Sequence, residues 1–328
     1  MREPRLLSVV VPMLNEGTTA LVFYDRLSAT LEGLEWELIV VDDGSDDETP
    51  ALLSDLAARD ERVRVIRFSR NFGHQAALTA GLDHSAGDVV VTIDADLQDP
   101  PELIPTLIER WRAGAEVVHA VRDRRAGEPR WRLGLIRAFY GLFGRFTDIE
   151  SIGNSGDFRL IDRRALEVLT FMRERNRFLR GMTVWVGFEQ AKITYDRDAR
   201  HAGETKYPLR KLVALAADGI VSFSLVPLRL AVVAGLMVSA VALLAIPVVV
   251  ALRIAGEYVP GIASVTIVVL LLSGFQLLTL GIIGEYLGRS YEETKQRPIY
   301  VIDQQENFPE SEVPVAVQRD VKNVPGSS

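Results

Sequence analysis

Residues 230–252 carry no charged side chain, and neither do residues 262–283. A helix of 23 residues at about 1.5 Å each reaches roughly 35 Å, enough to cross a hydrocarbon layer of about 30 Å. In lipid the backbone must satisfy its own hydrogen bonds, so runs of this length are forced into helix. Gly256, Pro260 and Gly261 lie between them, which predicts two spans joined by a short turn. Arg197, Arg200, Lys206, Arg210, Lys211 and Arg229 precede the first run, and Arg289, Lys295 and Arg297 follow the second. Only Arg253 lies between. The excess of positive charge outside the pair predicts that both termini face the cytoplasm. Pro247 and Gln276 fall inside the spans and are tolerated there by helix packing.

These runs explain why mean hydropathy is +0.13 although 25% of the 328 residues are charged. A net charge of −7 and a pI near 5.3 argue against nucleic acid as a partner. The absence of cysteine excludes disulfides and thiolate metal sites. The N-terminal apolar run, 6–11, ends at Pro12 and is too short for a secretory signal, so the first domain is expected to stay in the cytoplasm.

Upstream of the spans, β-branched strings alternate with helical stretches. Residues 8–12, 37–41, 63–68, 89–93 and 116–121 read as buried strands, and 18–32, 47–59, 75–84 and 101–112 as helices. Strands alternating with helices of this length predict an α/β fold with a mainly parallel sheet. The turn after the first strand, Pro12-Met13-Leu14-Asn15-Glu16-Gly17, lacks the Gly-x-Gly-x-x-Gly of dinucleotide-binding folds, and no Walker lysine loop occurs.

Phosphates therefore need another holder. Val89-Val90-Val91-Thr92-Ile93 delivers Asp94-Ala95-Asp96-Leu97-Gln98 to the carboxyl end of a strand, the edge where open α/β sheets bind ligands. Asp94, Asp96 and Gln98 offer oxygen donors to a hard divalent ion such as Mg²⁺ or Mn²⁺, which keeps water or phosphate in its other positions. Asp42 and Asp43 end the neighbouring strand and could bond a base and ribose. Taken alone, Asp-Asp-Gly-Ser also serves as a turn and helix cap.

After Val121, Arg122, Arg124, Arg125, Arg130, Arg132, Arg137 and Arg145 are interleaved with aromatic and aliphatic residues at helical spacing. A basic amphipathic helix of this kind suits an anionic membrane surface. Leu209, Leu212, Val213, Ala216, Ala217, Ile220 and Phe223 form the apolar face of a second interfacial helix. From about residue 303 the polar, Pro-bearing chain reads as a disordered tail.

Val-Pro-Met-Leu-Asn-Glu (11–16), Val-Asp-Asp-Gly-Ser (41–45), Asp-Ala-Asp-Leu-Gln-Asp-Pro-Pro (94–101) and Gly-Asp-Phe-Arg-Leu (156–160) occur in order ahead of the two spans. With these motifs, over residues 5–300, the chain resembles family 2 glycosyltransferases of the GT-A fold. It is most similar to the polyisoprenyl-phosphate group, the bactoprenol glucosyltransferases and dolichyl-phosphate mannose synthases.

The resemblance implies that Pro12, Glu16 and Asp43, with Asp42 beside them, line a nucleotide pocket. Asp94 and Asp96 would hold a diphosphate and its metal, with Gln98 completing the metal site. Arg122 and Arg137 match positions that grip an acceptor phosphate. Arg200 and Lys206 lie in a basic juxtamembrane loop that closes over the site, and Asp157 matches a proposed base. Phe178-Leu179-Arg180-Gly181, with Trp185, stands where processive members carry Gln-x-x-Arg-Trp, which favours adding one sugar.

The implied reaction moves one sugar from a nucleotide sugar, UDP-glucose being favoured, to undecaprenyl or another polyisoprenyl phosphate, with inversion. It would run at the cytoplasmic face of the inner membrane and give a lipid-linked donor for envelope glycans. GDP-mannose or a modified pentose remain alternative donors. A nucleotide-binding scaffold or transporter would leave the metal-site carboxylates unexplained. The expected organisation is a GT-A domain at 1–204, an interfacial helix at 205–227, a two-helix membrane domain at 228–286 and a cytoplasmic tail at 287–328. Gly235, Gly274, Gly281 and Gly284 on the spans could support a homo-oligomer.

Overall fold

The computed structural model describes residues 2–122, 155–175, 177–195, 226–255 and 261–309. Two β-branched strings become fully buried strands, β1 (Leu7–Met13) and β2 (Trp36–Asp42). The others are β3 (Val63–Phe68), β4 (Val89–Thr92), β5 (Val117–Arg122), β6 (Ser155–Asp162), β7 (Gln190–Tyr195) and β8 (Ile302–Glu306). They form one sheet in the order β7-β5-β6-β4-β1-β2-β3-β8.

The run β4-β1-β2-β3 and the pair β5-β7 are parallel, whereas β6 and β8 are antiparallel to their neighbours. Continuous apolar strands are what a sheet covered on both faces requires. The chain moves outward from β1 through β2 to β3, then returns to place β4 on the other side of β1. The reversal opens a crevice at the carboxyl ends of β1 and β4.

Helices α1 (Gly17–Thr30), α2 (Thr49–Arg59), α3 (His74–Asp83) and α4 (Ile104–Arg112) connect the strands. In α4 the buried residues are Ile104, Leu107, Ile108 and Trp111, a single helical stripe. A separate 3₁₀ turn, Pro101–Leu103, precedes α4 instead of one helix over 101–112. Pro105 has no N–H to donate back into that turn, so the α-helix starts afresh around it. After β6 come α5 (Arg163–Phe171), capped by Asp162 accepting from the Arg164 N–H, and α6 (Leu179–Trp185).

The chain divides into two compact units: Met1–Tyr140 with Ile149–Thr205 and Pro298–Ser328, and Gly141–Asp148 with Lys206–Arg297. The second contains α7 (Val226–Ile254) and α8 (Ile262–Thr294), which contact one another. Among the described residues, Leu271–Thr294 is long and apolar enough to cross a membrane. The Arg-rich stretch after Arg122 and the interfacial helix before α7 lie outside the described residues.

The expectation of disorder from about residue 303 is corrected by β8, which pairs antiparallel with β3 from Phe68 to Val65. Ile302 is buried, and the Asn307 side chain donates to Ala57 O and Val63 O, both at 2.8 Å. An edge strand is held by backbone hydrogen bonds that polar residues make as well as apolar ones, so Asp303-Gln304-Gln305-Glu306 pairs without an apolar alternation.

Helix α3 lies on β1 so closely that a Cβ on Gly81 would sit 2.2 Å from Val10 Cγ1. Gly81→Ala is expected to destabilise the domain by about 1–3 kcal/mol, read as a lowered midpoint in thermal or urea unfolding. An unchanged midpoint would show that α3 can lift from β1 without cost.

Candidate active site

At the crevice between β1 and β4, a cavity of about 310 Å³ is lined by Pro12, Glu16, Asp43, Asp94 and Asp96 from the expected site, together with Asn71, Gly73 and His74. The loops around it are tied together. The Asn15 N–H donates to Ser45 Oγ at 2.9 Å, and the Glu16 N–H donates to Thr49 Oγ1 at 2.9 Å. Gly44 has φ +77°, and a Cβ there would lie 2.6 Å from the Arg70 carbonyl carbon, so loop 70–73 crosses directly over it.

Asp42 and Asp43 play different parts. Asp42 is fully buried, accepts from the Ser45 N–H at 2.9 Å, pairs with Arg67 at 3.4 Å and does not line the cavity. The Asp43 carboxylate reaches across to accept the Phe72 N–H at 2.7 Å and the Gly73 N–H at 2.9 Å. Burial pushes the Asp43 carboxyl up, against the pull of these two N–H groups.

The turn after β4 is built around strain. Leu97 is buried at φ 57°, a left-handed backbone costing about 1–2 kcal/mol for an L-residue. The Gln98 N–H donates to Asp96 Oδ1 at 3.1 Å, and Tyr195 OH donates to the buried Asp99. Together these bonds hold the turn. Gln98 is itself buried, outside the cavity lining, with no partner for Oε1.

Asp94 Oδ1 is also buried and accepts no hydrogen bond. Burial pushes the Asp94 carboxyl up to about 6, the charge of His74 opposing and those of Asp157, Asp99 and Asp96 adding. Orphaned carboxylate and amide oxygens in this turn fit a hard divalent ion, which would relieve that burial. Among the described residues no group of three or more His, Asp or Glu is gathered as a metal cage. Two carboxylates facing a cavity suit an ion that completes its shell with water and phosphate.

Asp157, on β6, lies behind this edge. Its Oδ1 accepts from Arg159 at 2.8 Å and stands 3.6 Å from Arg180, while His74 Nε2 donates to Oδ2 at 3.1 Å. Burial alone would push this carboxyl up. The His74 hydrogen bond and the charges of Arg180 and Arg159 outweigh it and hold the group well below the ordinary carboxylate range. His74 Nε2 is also 3.6 Å from Asp94 Oδ1, so the imidazole stands between the two carboxylates. Burial pulls His74 down, but its carboxylate partners raise it above its ordinary value.

His74 and Arg180 were not singled out by sequence as site residues. The Gly73-His74 step at the start of α3, where Gly73 takes φ 101°, is the local signal for the first. Arg122 ends β5, and Arg137, Arg200 and Lys206 lie outside the described residues.

Residues 8–170 match the model of Glycosyl transferase family 2. The uncharacterized glycosyltransferase YkcC of Bacillus subtilis is 45% identical over 90% of this chain and 92% of its own length. A prophage bactoprenol glucosyl transferase homolog of Escherichia coli is 42% identical over 90% of this chain and 98% of its own length, and the bactoprenol glucosyl transferase of Shigella phage SfX is 41% identical over the same shares. The chain belongs to glycosyl transferase family 2. It is a glycosyltransferase with a GT-A α/β fold, and the matched residues run from β1 into α5, so they include every residue that lines the cavity.

In this glycosyltransferase, Asp43→Ala would leave two N–H groups of the cavity wall without their acceptor. The expected loss is about 2–4 kcal/mol of stability, measured by denaturant unfolding, with Asp43→Asn intermediate because it keeps one acceptor oxygen. Equal stability of all three proteins would mean that loop 70–73 is held by other contacts.

Proposed function

We propose that this glycosyltransferase moves one glucose from UDP-glucose to undecaprenyl phosphate on the cytoplasmic face of a membrane, with inversion and with Mg²⁺ or Mn²⁺. The observation that carries this reading is the crevice at the β1/β4 reversal, where Asp94 presents a buried oxygen without a hydrogen bond beside Asp96. The names of the relatives, bactoprenol glucosyl transferase at 41–42% identity over 90% of the chain, support the sugar and the lipid class.

Asp94 and Asp96, with Gln98, are the residues that would hold the ion. When bound, it supplies positive charge to the leaving diphosphate. Pro12 and Glu16 would face the nucleotide from the β1 side, and Asp43 keeps the opposite loop closed against it. An oxygen of the lipid phosphate attacks the anomeric carbon, the bond from that carbon to the diphosphate oxygen breaks, and UDP leaves. Arg122, Arg137, Arg200 and Lys206 would grip the acceptor phosphate through charge-assisted hydrogen bonds.

Asp157 acts here as an anchor, not a base, because Arg159 and Arg180 face its Oδ1 and His74, which lines the cavity, donates to its Oδ2. Helices α7 and α8 are read as two membrane spans. Leu236, Met237, Val241, Leu243 and Leu244 on α7 and Leu271, Leu277 and Leu278 on α8 are all exposed, as lipid-facing side chains are.

Membranes containing the protein, given undecaprenyl phosphate and a panel of radiolabelled nucleotide sugars, should form labelled lipid from UDP-glucose. Label from GDP-mannose or a pentose donor instead would reassign the sugar, and none from any donor would reject the reaction. Asp96→Ala should reduce transfer at least a hundredfold while leaving the fold intact, and a chelator should mimic it until Mg²⁺ or Mn²⁺ is restored. Full activity of Asp96→Ala would remove the ion from this turn.

Asp157→Asn is expected to lower kcat by a constant factor between about pH 6 and 9, since an orienting group shifts the whole profile. Loss of an acidic limb that the wild type shows would make Asp157 a base.

A further inference from the structure

The segment that follows the membrane helices reaches the frame of the cavity. Only residues 295–297 separate the end of α8 from Pro298, where the chain rejoins the unit that contains the sheet. Two residues on, the Tyr300 ring stacks on Phe68, with centroids 5.3 Å apart and planes 11° from parallel. Phe68 is the last residue of β3, and its ring meets Phe72 edge-on at 5.6 Å. The backbone N–H of Phe72 is one of the two that Asp43 accepts, and Asn71, Gly73 and His74 are cavity wall.

Tyr300 also reaches the far end of the helix that this loop enters. Its hydroxyl donates to Asp83 Oδ2 at 2.8 Å, Asp83 being the last residue of α3, which begins with His74. The same carboxylate pairs with Arg173 at 2.6 Å. The Ser69 N–H donates to Val301 O at 3.1 Å, so the start of the loop is bonded to the segment through the backbone as well. One side chain thus contacts the residue before loop 69–73 and the residue that ends the helix after it.

We propose that Tyr300 is a positioning residue for donor binding: it fixes loop 69–73 and the seat of α3, and so makes the segment after the membrane helix part of the nucleotide pocket's frame. This rests on the reading of the cavity as the nucleotide-sugar site. Loss of the ring leaves Phe68 without its stacked partner, so that Phe72 packs on a less firmly held ring, and frees the loop to sample arrangements that do not bind. Affinity then falls by the fraction of time the loop spends away from its bound form. The lipid phosphate meets other residues, so its binding is unaffected.

The test uses the full chain in native membranes or detergent, with UDP-glucose and undecaprenyl phosphate varied separately. Tyr300→Ala should raise the KM for UDP-glucose roughly five- to tenfold, the scale of a lost aromatic contact, with kcat and the lipid KM within about twofold of wild type. Tyr300→Phe keeps the stacked ring and should recover most of that loss. Asn307→Ala, which gives up its bonds to Ala57 O and to Val63 O at the other end of β3, should lower thermal stability and leave the donor KM where it was. Tyr300→Leu, which keeps apolar bulk without a flat face, is read in the same way if the alanine variant fails to accumulate.

An unmoved donor KM in the Tyr300 variants of an active enzyme overturns the inference alone. An equal rise in Asn307→Ala also overturns it, by showing general loosening. A wild type that turns over no nucleotide sugar overturns the donor reading and this inference with it.

Discussion

Carboxylates crowd the carboxyl edge of this sheet, and the structure depends on how each is compensated. A buried carboxylate without partners is among the costliest groups a fold can carry. Asp42 is met by Arg67 and a backbone N–H, Asp43 by two backbone N–H groups, Asp99 by Tyr195, and Asp157 by Arg159, Arg180 and His74. These are scaffold uses of charge: they hold a turn, a loop, and a cluster of two arginines and a histidine in place. Asp94 receives less. Its Oδ1 is buried, accepts no hydrogen bond and faces His74 at 3.6 Å, and the carboxyl is pushed up to about 6. Asp42 also keeps one buried oxygen without a hydrogen bond, but only Asp94 lines the cavity, and on the reading proposed above that is where the ion would sit.

The parallel half of the sheet was legible because strands covered on both faces must be apolar throughout, and 8–12, 37–41 and 89–93 show this in the bare sequence. Strand ends then fixed where Asp43, Asp94 and Asp96 would meet. The finer divisions were not legible. Asp42 and Asp43 are adjacent in sequence, yet alternation along a strand end turns one toward Arg67 and the other toward loop 70–73. Leu97 at φ 57° could not be anticipated, since a leucine in left-handed backbone is held there by surrounding bonds and not by its own preference.

His74 and Arg180 escaped notice because their significance lies in a partner far along the chain. Asp157 is 83 residues from His74, and only the antiparallel placement of β6 beside β4 brings them within 3.1 Å. The strand β8 escaped for a different reason. Its pairing with β3 uses main-chain groups, and its anchors are single residues, Ile302, Asn307 and Tyr300, among polar neighbours. A composition that would leave a free segment disordered is sufficient for a strand when an open sheet edge already exists to receive it.

The arrangement around Asp157 bears on the chemistry of the acceptor. A sugar hydroxyl has to lose its proton as it attacks and needs a carboxylate with a free lone pair and an ordinary or raised pKa. Asp157 has neither property, since Arg159, Arg180 and His74 occupy its oxygens and hold its proton affinity down. A phosphate monoester is different: its second pKa is about 6, so near pH 7 the attacking oxygen is already mostly anionic. Such an acceptor needs positive charge to bring it close to a leaving diphosphate, and a buried anion that fixes cations contributes to that need. The commitment of Asp157 to His74 and the two arginines is therefore better matched to the phosphate of a lipid than to the hydroxyl of a growing glycan.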